Sequence, residues 1–167
     1  MYEGSYGGIE FHKCYIGHRD DREQKEFYHQ GIHSSANHPA NYFYMTFLLW
    51  RLRPKLIIAS LWKSCIPALL YKSVKPSCSL IVFLHSRRSR HFLDAIVNWL
   101  AMLVATEIWV DSEATSHRVP KRLQGRIRII SFVTFRMQSP PKRSVSPNFI
   151  FWGRLHRIKG VDRALKL

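Results

Sequence analysis

Residues 80–90 read LIVFLHSRRSR. Leu80 to Leu84 form an unbroken apolar run, preceded by the turn residues 76–79 and closed by His85 and Ser86. A short run of this kind is the pattern of a strand covered on both faces. Downstream, residues 92–105 carry Leu93, Ile96, Val97, Leu100 and Val104, a helix expected to pack on the sheet. Residues 107–110 form the next expected strand. Strand, helix and strand in this order are the unit of a parallel sheet. The expected class is therefore α/β: a Rossmann-like parallel sheet with flanking helices. His85 then falls at the carboxyl end of a strand, where open α/β sheets bind their ligands.

The alternation continues in both directions. Residues 41–53 read as a helix with an aromatic face of Tyr42, Phe43, Phe47 and Trp50. Such a stripe is normally core, although on a basic chain it also suits a membrane surface. Pro54 stops the helix. Residues 56–60 are expected to be a buried strand, and residues 61–72 a helix with Pro67 as a fault inside it. Beyond Val110, Ser112 is placed to cap a short helix, and residues 126–132 form a further strand. Ahead of residue 40, residues 11–16 and 27–33 are strand-like, and the charge run at 20–25 is a solvated turn. His29, His33 and His38 have no carboxylate or cysteine at ligand spacing, so surface histidines are expected rather than a metal site.

The carboxy-terminal stretch follows the same logic. Residues 138–147, QSPPKRSVSP, cannot pack as a regular element and read as a linker. Phe149 to Trp152 form an apolar run that ends at Gly153, and Val161, Ala164 and Leu165 recur at helical spacing. Arg154 and Lys159 stand between strand and helix, with Gly160 beside the lysine. A helix N-terminus with a forked guanidinium and a mobile ammonium suits a diphosphate. Spacing alone favours an ordinary βα turn with solvated cations.

GRLHRIKG at 153–160 resembles the Gly-Arg-Leu-x-x-x-Lys-Gly signature of family-4 glycosyltransferases (glycosyl transferases group 1) of the GT-B fold. The similarity extends more loosely back to about Pro54. DSEAT at 111–115 resembles the family's Asn/Asp-Ser-Glu segment, and YGGIE at 6–10 its glycine-rich loop. The resemblance implies an acceptor-side Rossmann-like domain at 1–137, a linker at 138–147 and the beginning of a donor-binding domain at 148–167. It implies that Arg154 and Lys159 bind the donor diphosphate, and that Gly7, Gly8 and His85 contact the sugar or the acceptor. The implied reaction moves a sugar from a nucleotide-diphosphate sugar to a hydroxyl of a saccharide or lipid-linked acceptor, as in cell-surface polysaccharide or lipopolysaccharide synthesis. Anomeric configuration would be retained without a metal, which agrees with the absence of an Asp-x-Asp pair. The donor is a substrate, no cofactor is implied, and no catalytic residue is assigned.

The sequence departs from the family in two places. The strand expected before the glycine-rich loop and the helix expected after it are not legible. The chain ends eight residues after Lys159, short of the family's paired glutamates and most of its nucleotide pocket. The expectation is a truncated transferase with little or no activity on its own.

Composition sets the remaining bounds. The 167 residues suffice for one ordinary domain, and 46% hydrophobic content excludes a disordered chain. A formal charge of +15 calls for an anionic partner. The alternative to the transferase is thus a non-enzymatic basic module for anionic membrane or nucleic acid. No helix-turn-helix, RNP or zinc-finger pattern is visible, so no specific nucleic acid is expected. The missing Gly-x-Gly-x-x-Gly argues against a dinucleotide. Cys14, Cys65 and Cys78 are scattered, which fits a reducing compartment. From the polar, glycine-rich start MYEGSYGG no secretory signal is expected. Residues 92–110 have the length of a membrane span, but Asp94, Asn98 and Glu107 break it. The expected location is the cytoplasm, with room for peripheral contact on the inner face of the membrane.

Overall fold

The structure, a computed structural model, describes residues 5–6, 8–17 and 28–130. Gly7, the charge run at 20–25, the linker at 138–147 and the carboxy-terminal motif with Arg154 and Lys159 lie outside them. β1 (Ser5–Tyr6) and β2 (Ile9–Glu10) form a two-rung antiparallel ladder. β3 (Lys13–Tyr15) pairs in parallel with β4 (Tyr28–Gln30). There follow α1 (Pro39–Leu52), β5 (Leu56–Ser60), α2 (Trp62–Val74), β6 (Ser79–Leu84), α3 (Phe92–Val104) and β7 (Glu107–Val110). A short α4 (Glu113–Ser116) and a 3-10 turn (Lys121–Arg126) lead to β8 (Ile127–Ile129).

β5 to β8 lie side by side in chain order, and every pair is parallel. Ile57 stands opposite Leu80, Val82 opposite Ile108, and Val110 opposite Ile129. Parallel neighbours need a crossover, and crossovers are right-handed. Repeated in one direction, they place all the crossover helices on the same face. Accordingly α2 packs against both α1 and α3. The core lies between this helical layer and the inward rows of the strands, where Leu80, Val82, Ile108 and Val110 meet Cys65, Ala68 and Ala101. The Rossmann-like α/β reading therefore holds.

Three packing expectations need correction. The strand at 56–60 is not buried throughout: Leu56 and Ile58 are 48% and 50% exposed, while Ala59 is covered. β5 has a hydrogen-bonded neighbour on one side only among the described residues, and Leu56 and Ile58 alternate along it with Ile57 and Ala59, which pack on the core. The aromatic stripe of α1 is not core. Met45 and Leu48 are the buried residues, while Phe43, Phe47 and Trp50 are exposed and Tyr42 is half-buried. In α3 the covered face carries Asp94, Asn98, Ala101 and Met102, whereas Leu93, Leu100 and Val104 are exposed. Asp94 and Asn98 satisfy each other, as Asn98 Nδ2 donates to the Asp94 carbonyl oxygen at 2.9 Å and to its carboxylate. A polar pair that is internally bonded can occupy an inward face at little cost.

Local chemistry sets the ends of α1. His38 Nδ1 accepts from Ala40 N at 3.3 Å, and Pro39 occupies the first turn, where its missing N–H costs nothing. Arg53 takes a left-handed conformation, φ 48° and ψ 52°, just before Pro54. At the far end of the chain's crossovers, Arg126 Nη1 donates to the Ala105 carbonyl oxygen at 2.9 Å and helps close the end of α3.

Asn41 ties the segment before α1 to the helix. Its Oδ1 accepts from His33 N at 2.8 Å, and its Nδ2 donates to the carbonyl oxygens of His33 (3.0 Å) and Ser35 (2.9 Å). Gly31 is wedged beside it: a Cβ there would lie 2.1 Å from the Ile16 carbonyl oxygen. We expect Asn41→Ala to cost about 1–3 kcal/mol, because three polar partners lose their mates at a fully buried site. Urea unfolding would show a lower midpoint at unchanged slope; an unaltered midpoint would contradict this role.

Candidate functional site at the carboxyl edge of the sheet

The parallel register brings the carboxyl ends of β5, β6 and β7 to one edge. Ser60 ends β5, His85 follows β6, and Asp111 follows β7. The sequence placed His85 here, and the structure joins it to Ser60, whose Oγ lies 2.7 Å from His85 Nε2. The imidazole also lies against Phe83, with ring centroids 4.1 Å apart, and Phe83 meets Trp109 edge-on at 6.2 Å. The ring is thus held on one side by an aromatic pair, and His85 itself is solvent-exposed.

Asp111 supplies the negative charge of the edge. Its Oδ1 accepts from Thr115 Oγ1 at 2.7 Å and from Ser112 Oγ at 2.9 Å. The bond from Thr115 is the main reason its carboxyl is held below the ordinary range. Ser112 and the neighbouring His85 lower it further, against an opposing effect of burial. Ser112 also caps α4 as the sequence implied, since its Oγ accepts from Thr115 N at 3.3 Å.

The loop between β6 and α3 is fixed from below. Arg118 donates from Nη1 to the Ser86 carbonyl oxygen at 3.1 Å and from Nη2 to Ser89 Oγ at 2.8 Å. The same Nη2 lies 3.7 Å from Asp94 Oδ1, with both side chains largely buried. Asp94 Oδ2 in turn accepts from Arg90 N at 2.7 Å. The clamp leaves Arg87 and Arg88 exposed at the same edge as His85. An exposed hydrogen-bonded imidazole, an ionised carboxylate and two arginines can together bind a polyhydroxy ligand bearing an anionic group.

The other sequence-derived site residues are not gathered here. Gly8 has φ +77° in the turn between β1 and β2, a conformation glycine adopts without cost. The helix that the resembled family places after this loop was not legible in the sequence, and Ile9 and Glu10 form a strand, because glycine between short extended segments favours a hairpin. That ladder shares no hydrogen bond with the four-stranded sheet among the described residues. Gly7, Arg154 and Lys159 lie outside the described residues. Of the histidines, His29 stacks on His12 at 5.1 Å and His33 on His38 at 4.0 Å. Among the described residues no three His, Cys, Asp or Glu side chains converge as a metal site would require.

Sequence reasoning missed Ser60, Thr115 and the Asp94–Arg118 clamp. Ser60 carried a usable signal: like His85 it follows an apolar strand run directly. Thr115 and Arg118 carried none, because their partners are distant or set by the turn after β7. No family model, no curated protein and no solved structure matches this chain. The site is therefore read from its own residues.

Thr115 is buried, so Thr115→Val preserves shape while removing the donor to Asp111. We expect the Asp111 titration, followed by carboxyl NMR, to move up toward its ordinary 3.8. The sign for stability follows from linkage. A carboxyl lowered in the folded state stabilises above its unfolded value, and that contribution is lost as pH falls through the folded value. The variant should lose less stability on acidification than the native chain. An unmoved Asp111 titration would contradict the assignment.

Proposed function

We propose that this chain is the acceptor-side part of a nucleotide-sugar-dependent glycosyltransferase of the GT-B type. The observation that carries the reading is the combination of a strand-final His85 on a one-directional parallel sheet with GRLHRIKG following it in the sequence. In this reading the acceptor lies across the carboxyl edge, with its hydroxyls facing His85, Ser60 and Asp111. Arg154 and Lys159 take the donor diphosphate and stabilise the negative charge that grows on it as the glycosidic bond breaks. The glycosyl group passes to an acceptor oxygen, and the hydroxyl proton passes from that oxygen to the departing diphosphate as the new bond forms. By the resemblance, the configuration at the anomeric carbon is kept and no metal takes part.

Arg87 and Arg88 give the reading its substrate preference. Exposed beside His85, they favour an acceptor that carries a phosphate or carboxylate. A cytoplasmic setting, where nucleotide sugars are available to such enzymes, belongs to the same proposal.

Calorimetric titration of the full chain with uridine and guanosine diphosphate sugars tests the donor assignment. Binding that falls about tenfold or more in Arg154→Ala and in Lys159→Ala is expected, since each removes a charge-assisted contact worth roughly 1.5–3 kcal/mol. Affinity that is absent for every nucleotide sugar, or indifferent to both substitutions, would overturn the proposal.

A further inference from the structure

The outer side of the helical layer is apolar where a solvated face would be polar. Phe43, Phe47 and Trp50 stand at i, i+4 and i+7 on α1 and are 71%, 60% and 57% exposed. Leu70 and Val74 are exposed on the neighbouring α2. With Thr46 and Tyr71 these side chains line an open groove of about 270 Å³. Large apolar side chains gathered in one exposed patch mark an interaction surface.

Charge identifies the partner. Residues 27–93 contain nine lysines and arginines and no aspartate or glutamate. This stretch supplies α1, β5, α2 and β6, so no carboxylate of these elements offsets their cations. Arg51, Arg53 and Lys55 follow Trp50 directly, and Lys75 follows Val74; all four are exposed.

We propose that the α1–α2 face docks on an anionic lipid bilayer, with Phe43, Phe47 and Trp50 in the interfacial layer and the cations on the headgroups. The inference stands on this face alone and does not rest on the transferase reading. Aromatic rings settle at the depth where headgroups meet acyl chains, and each nearby cation adds about fivefold to partitioning on an anionic leaflet. No described helix is long and apolar enough to cross a membrane, so the contact is one of surface docking. A second copy of the chain is a poorer occupant, because a twofold contact would set these cations against each other. A nucleic acid would meet the cations but leave Leu70 and Val74 without an apolar partner.

Flotation of the full chain with vesicles of phosphatidylcholine, alone or mixed with phosphatidylglycerol, tests the proposal at physiological salt. Two double variants accompany it: Phe47→Ser with Trp50→Ser, and Arg51→Gln with Arg53→Asn. The changed side chains are exposed, and asparagine accepts the left-handed backbone of residue 53. Circular dichroism verifies that both variants fold, and single substitutions replace any double variant that does not. Binding to the mixed vesicles that drops about tenfold or more in each variant is the expected result. The proposal is overturned by failure to float with mixed vesicles, or by equal flotation of the serine variant, which would mean charge alone. It is likewise overturned by concentration-dependent dimerisation that the serine variant abolishes, or by tighter binding to an oligonucleotide at the same salt.

Discussion

The winding of the sheet in a single direction is the constraint from which the rest follows. Each strand from β5 to β8 lies beside the one before it and runs the same way. Right-handed crossovers then leave one face for all the helices and align every strand's carboxyl end along one edge. The buried central strand β6 anchors both outcomes: its inward residues seat α2 and α3, and its end presents His85. The strand order never reverses among the described residues, so the sheet has no switch-point crevice within it. The candidate site lies instead on an open edge.

Polar side chains stiffen that edge. Arg118 and Asp94 are withdrawn from solvent, and they share between them the backbone of residues 86–90. A buried ion pair of this kind adds little net stability, but losing one partner leaves the other charge uncompensated. Its value here is geometric. It fixes the loop that carries Arg87 and Arg88 and leaves those cations exposed. Cys65 belongs to the same neighbourhood, and burial pushes its thiol up to about 12, so it is a packing residue and not a nucleophile.

Much of the fold was legible because apolar runs and helical spacing are local. LIVFL, EIWV and the helices around them fall within a residue or two of their expected ends. What failed was the question of which face turns inward. The exposed aromatics of α1 and the inward Asp94 of α3 both reverse the rule that apolar residues face the core. Burial depends on neighbours that a linear pattern does not contain. The site was legible in part for the same reason. His85 follows a strand and could be placed, whereas its contact with Ser60 joins residues 25 positions apart. The pairing of Asp111 with Thr115 depends on the turn that ends β7.

The central claim is that the carboxyl edge of the sheet receives the saccharide acceptor. Amide and imidazole NMR shifts, recorded while a phosphorylated saccharide is added, test this most directly. The account predicts changes concentrated at Ser60, His85, residues 86–90 and Asp111, with β3 and β4 unaffected. Changes confined to other parts of the chain, or spread evenly over its cations, would contradict it.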